Sequence, residues 1–110
     1  MRLAYLALPF LAGWLAAAQK PSVLVVAGAP GTDAYGLLFS EWSDQWKTVA
    51  EQAEADFQQV DQPVEGHARD ALEETLAAED KNSPHPLWLV FIGHGTFDGK
   101  RAKFNLRGPD

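Results

Sequence analysis

The apolar positions of this chain change period several times, and each change marks a new element. Val23-Leu24-Val25-Val26-Ala27-Gly28 is a β-branched run without a polar break, and it reads as a buried first strand. Ala29 to Gly36 follows as a loop by composition. From Leu37 to Phe57 the period turns helical. Leu38, Trp42, Trp46, Val49, Ala53 and Phe57 recur at spacings of three and four, with Ser40, Glu41, Asp44, Gln45, Lys47, Glu51 and Glu54 largely opposite. At that spacing the two tryptophans read as core against a sheet, not as a stacking platform for a sugar. Asp56 to Val60 leaves room for a second strand, which its polar character makes a short or edge strand.

Pro63 and Gly66 mark a loop, and Asp70 to Asp80 forms a second helix. Its apolar face is Ala71, Leu72, Leu76 and Ala77, with Glu73, Glu74 and Glu79 outside. A polar linker, Lys81 to Pro86, leads into Leu87-Trp88-Leu89-Val90-Phe91-Ile92. This is expected to be a strand buried on both faces, at the centre of the sheet. It ends in Gly93-His94-Gly95. Asp98-Gly99 is a tight-turn pair, and Ala102 to Leu106 alternates as a hairpin strand does. Gly108-Pro109-Asp110 introduces another element, with Asp110 as its N-cap. The order β-α-β-α-β predicts an α/β fold, a three-layer Rossmann-like sandwich with a mostly parallel sheet and right-handed crossovers.

With 110 residues there is room for one domain, and its start is not residue 1. Residues 1–18 read as a signal peptide: Arg2, an apolar stretch from Leu3 to Leu15, then Ala16-Ala17-Ala18 as a small-residue cleavage site. The apolar stretch is shorter than the roughly 20 residues of a spanning helix. No cysteine follows it to carry a lipid anchor. The expectation is export to the periplasm or the extracellular space, with residues 19–110 as the domain. About 90 residues are marginal for burying a doubly wound core, so the domain reads as the N-terminal part of a larger one.

Charge narrows the partners. The formal net charge is -6, and removing Arg2 makes the remainder more acidic. An acidic exported protein argues against nucleic acid or an anionic membrane as partner. Lys100, Arg101, Lys103 and Arg107 cluster late in the chain and read as a solvated hairpin. His67 and His85 read as solvated surface residues. Gly28, Gly31 and Gly36 fit neither the dinucleotide fingerprint nor the P-loop, and Pro30 removes a backbone N–H that a phosphate cradle would use. No cofactor is predicted. There is no cysteine at all, hence no disulfide.

His94 stands at the C-terminal end of a buried strand, where open α/β sheets hold their ligands. As a metal ligand it lacks company: Asp98 lies across a turn and no second His is near, so no metal is predicted. As the oxyanion element of an α/β-hydrolase it needs a G-x-S-x-G elbow, which these residues do not contain. It would be structural in a non-catalytic Rossmann-like binding domain. The fourth use is as general base to a thiol nucleophile. Asp33 and Asp98 flank the nearest loops and read as turn residues.

An apolar strand running into Gly93-His94-Gly95, then Gly99 in a turn and Lys103-Phe104 on the next strand, resembles the histidine motif of the caspase–hemoglobinase fold. Its legumain and GPI-transamidase branch is the nearest in pattern. The Val23 to Gly28 strand with its loop and long helix is similar to that fold's first β-α unit. The resemblance implies an exported caspase-like cysteine peptidase acting on a peptide or protein substrate. His94 would then be the catalytic His, and the Gly95 backbone N–H a donor to the oxyanion. The nucleophile of that fold is a cysteine at the end of the following core strand, and this sequence has none.

Overall fold

The computed structural model describes residues 20–60 and 67–108. The expected signal peptide, the Pro63–Gly66 loop and the Asp110 cap lie outside the described residues. The elements are β1 (Ser22–Ala27), α1 (Asp33–Gln52), β2 (Asp56–Val60), α2 (Ala68–Ala78), β3 (Leu87–Ile92), β4 (Gly95–Phe97) and β5 (Ala102–Phe104). The fold is a small α/β domain: a three-stranded parallel sheet, order β2-β1-β3, with two helices and a separate β4-β5 hairpin.

β1 holds the centre because from Val23 to Ala27 it has no polar side chain to give to water. Val23 to Ala27 are all buried, and successive residues point to opposite faces. Val23 and Val25 join Phe39, Ala50 and Ile92 beneath α1, with Trp46, Phe57 and Val90 packed on that cluster. Leu24 and Val26 join Val60 and Ala68 beneath α2, with Leu72, Leu76 and Phe104 around them. Each fully buried Val or Leu contributes about 1.5–3 kcal/mol of transfer free energy. From β1 the chain crosses to β2 through α1, then back past β1 to β3 through α2. Two crossovers of the same hand in opposite directions put their helices on opposite faces, as observed.

The apolar stripe of α1 is rotated from the one the periodicity suggests. The residues buried against the sheet are Phe39, Ser43 and Ala50, with Trp46 half-buried, whereas Trp42 is 42% exposed and Leu38 and Val49 also face outward. Small side chains at 43 and 50 let the helix approach β1 closely, which an indole at 42 would prevent. The helix also begins and ends earlier than expected. Thr32 caps its start, its Oγ1 accepting from Tyr35 N at 3.3 Å. Its end is closed by Glu54 N donating to Glu51 O (3.2 Å) and Ala55 N to Ala50 O (2.9 Å), a Schellman pattern. α2 is likewise shifted toward its N-terminus: Ala68 is buried and Ala77 exposed.

β3 is not the central strand and is not buried on both faces. It pairs on one side only among the described residues, and Trp88 and Phe91 are 57% and 48% exposed. The reason is positional: α1 lies mainly over β1 and β2, so a chemically core-like strand sits at the rim. β2, weak and polar, is an edge strand as its sequence suggests.

Glu54 occupies the left-handed region at φ 55°, the position that the Schellman pattern normally gives to glycine. A Cβ there costs about 1–2 kcal/mol, partly offset by glycine's larger unfolded-state entropy. Glu54→Gly is expected to raise stability by about 0.5–1 kcal/mol, or a few degrees in Tm. An unchanged or lowered Tm would show that this turn carries no strain.

Candidate active site

His94 follows β3 at the C-terminal rim of the sheet, beside the loop that leaves β1. β1 departs toward α1 and β3 toward the hairpin, and the rim where two neighbouring strands part in this way is where open α/β sheets hold their ligands. The imidazole is half-buried. It stands edge-on to Tyr35 at 4.6 Å between ring centroids (88°) and lies 5.4 Å from Phe39. Both aromatics come from the first two turns of α1, one turn apart. The Thr32 cap that starts the helix therefore also seats the wall of the site.

The decisive contact is His94 Nε2 to Pro30 O at 3.0 Å. A carbonyl oxygen only accepts, so Nε2 carries the proton and donates it. In the neutral ring the basic nitrogen is then Nδ1. Pro30 thus contributes through its carbonyl, while its ring excludes an N–H that could compete in this loop. The sequence signal for this role is slight: a proline in a glycine-rich loop just after the first strand.

Gly95 opens the hairpin. Asn105 N donates to His94 O at 3.0 Å and Asp98 N to Arg101 O at 3.3 Å, while Gly95 is opposite Phe104 and Thr96 opposite Lys103. In an antiparallel ladder, bonded and non-bonded pairs alternate, so residues 94, 96 and 98 turn their backbone groups toward β5. Gly95 turns its N–H away from β5, beside His94. Of the two residues expected at the site, His94 has an oriented ring and Gly95 an outward backbone donor.

Three segments are locked together behind them. Ala29 N donates to Asn105 O (2.9 Å) and Gly28 N to Ile92 O (2.8 Å), tying the β1 loop to both the end of β5 and β3. The Phe104 ring lies across Gly28 and Gly93. A Cβ on Gly93 would fall 2.7 Å from Phe104 Cζ, and one on Gly28 would fall 2.5 Å from Asn105 O. These glycines are required for close backbone approach, not for phosphate binding.

Other expected residues take structural roles. The Asp98 carboxylate accepts from Arg101 N (2.7 Å) and Lys100 N (2.8 Å), with Gly99 at φ 94° closing the turn. Those bonds, the Arg101 one foremost, hold its pKa below the ordinary 3.8. Asp98 is thus committed to the turn. Asp33 is an exposed first-turn residue of α1. Among the described residues no group of three or more His, Cys, Asp or Glu could hold a metal ion, and no helix is long and apolar enough to cross a membrane. His67 and His85 are each partly exposed, and His67 Nδ1 is shielded without a partner. Lys100, Arg101 and Lys103 are exposed as expected, whereas Arg107 is half-buried.

No protein-family model matches the chain, and no curated protein or solved structure matches it significantly.

Gly93→Ala and Gly28→Ala are expected to destabilise the domain by about 1–3 kcal/mol through overpacking. The Gly28 variant should be the worse, because a backbone oxygen cannot rotate away as a phenyl ring can. Denaturant titration measures both, and wild-type midpoints would refute the close approach. The depressed Asp98 pKa carries its own test. The turn's stabilisation is complete above the ordinary carboxylate range and is lost as pH falls through the lowered pKa. An NMR titration should therefore find the Asp98 carboxyl protonating below 3.8, with the Lys100 and Arg101 amide shifts following the same curve.

Proposed function

We propose that this chain is the histidine-bearing part of an exported caspase-like cysteine peptidase acting on peptide or protein substrates. His94 is its general base and the Gly95 N–H its oxyanion donor. The observation that carries the reading is the Nε2–Pro30 carbonyl bond, which leaves Nδ1 as the basic nitrogen beside an outward-turned N–H. A base oriented by a third group, next to a backbone donor, is the minimum equipment of acyl transfer. Nδ1 would take the thiol proton as sulfur attacks the scissile carbonyl, and would return it to the leaving amine. The donor at Gly95 would stabilise the tetrahedral oxyanion by about 3 kcal/mol.

The 110 residues contain no cysteine, so the nucleophile has to be supplied from outside them. The outer edge of β3, unpaired among the described residues, supports where it would come from. Charges and prolines normally protect an exposed edge, yet Leu87 to Ile92 has neither and is apolar on both faces. A further parallel strand added there would run about 4.8 Å away and end beside His94. That would extend the sheet into the larger caspase-like sandwich, with the cysteine at the new strand's end.

The test uses the longest natural product that contains this chain. Wild type should cleave peptide substrates and label with a thiol-reactive peptidyl probe. His94→Ala should lower turnover about 10²–10⁴-fold while the fold is retained. Undiminished turnover in that variant, or a natural product without a cysteine, refutes the assignment.

A further inference from the structure

The basic residues near the C-terminus do not all form a solvated hairpin. Arg107 and Lys103 meet Arg69 and His67 around a cleft of about 590 Å³ between the first turn of α2 and the end of β5, floored by Phe104 and Leu106. Three of the nine Lys and Arg residues, with one of the three histidines, thus line one concavity in a chain of net charge -6. Two of the nitrogens are also unsatisfied. Arg107 Nε and His67 Nδ1 are shielded from solvent and have no hydrogen-bond partner. A shielded donor without an acceptor is costly, and most so when it belongs to a charged group. The segment is not loosely placed, since Arg107 O accepts from Ala68 N at 3.3 Å and holds it to α2.

We propose that this cleft binds a small organic phosphate: a phosphoryl group against Arg69, Lys103 and Arg107, with an apolar body over Phe104 and Leu106. Charge selects phosphate over carboxylate. Asp70 also lines the cleft, and three cations set against one carboxylate leave two positive charges. A phosphate monoester near neutral pH carries about −1.5 to −2, closer to that balance than the single charge of a carboxylate. The planar donor fork of arginine suits phosphoryl oxygens, and Arg69 and Arg107 both line the cleft. The volume lies within the range of small-molecule sites. The cleft is on the α2 face of the sheet, whereas His94 packs against α1, so the proposal does not rest on the peptidase reading.

Phenyl phosphate, inorganic phosphate, benzoate and sodium chloride are titrated into the 110-residue chain at constant ionic strength, followed by amide NMR shifts. Phenyl phosphate should saturate shifts confined to residues 67–70 and 103–108. Inorganic phosphate should bind more weakly at the same residues, and benzoate at least about tenfold more weakly than phenyl phosphate. Arg107→Gln and Lys103→Gln should each weaken phenyl phosphate about tenfold, the loss of one charged hydrogen bond. Lys103 is exposed, so its variant keeps the test valid if Arg107→Gln fails to fold. Lys47→Gln, an exposed charge on α1, should leave binding unchanged. Shifts that chloride reproduces, benzoate binding as tight as phenyl phosphate, or affinity undiminished in Lys103→Gln would each overturn the proposal.

Discussion

Burial of β1 on both faces is the constraint from which the rest of this domain follows. Five consecutive apolar residues cannot stay in water, and a strand points them alternately to two sides. Two helices are therefore needed, one on each face, and the parallel neighbours β2 and β3 are the way the chain supplies them with short connections. The polar groups of the β1 backbone are satisfied by those same neighbours, in register from Ser22 to Val26 on the β2 side and to Ala27 on the β3 side. Everything at the rim is hung from this frame. The loop leaving β1 carries Pro30, the loop leaving β3 carries His94, and the register between the two strands brings one to the other.

The rim shows how backbone chemistry positions a side chain. Gly28 and Gly93 let the Phe104 ring and the Asn105 carbonyl come within distances that any Cβ would forbid. The hairpin is thereby drawn down onto the sheet, and its backbone bonds to Ala29 and His94 close the arrangement. The imidazole is held by three weak constraints that agree: a carbonyl at Nε2, an edge contact from Tyr35 and the flank of Phe39. A ring held in one tautomer is useful to chemistry in a way that a freely rotating one is not.

Much of this was legible because it depends on local pattern. β1 and β3 are visible as runs of apolar or β-branched residues, β2 only as the space left between two helices, and Asp98-Gly99 as a turn pair, since strands and turns draw on near neighbours. The rotation of α1 was not legible. Leu38, Trp42 and Val49 form as good a stripe as Phe39, Ser43 and Ala50 by spacing, and greater total hydrophobicity favours the wrong one. Only the closeness of helix to sheet chooses the stripe with small residues. Nor could a sequence distinguish a strand that is core-like in composition from one that is central in position, and Leu87 to Ile92 is the first without being the second.

By itself the sequence determined the α/β class, the order of the elements and the delivery of His94 to the end of a strand, because each rests on periodicity or on contacts within a few residues. It also determined the absence of a thiol from these residues. Tertiary structure alone decided which nitrogen of His94 is basic, since the acceptor is a carbonyl 64 positions earlier. It alone decided that Gly95 turns its N–H outward, and that Arg69 meets Lys103 and Arg107. These are encounters between segments far apart in the chain, set by sheet order and register, and no local pattern encodes them.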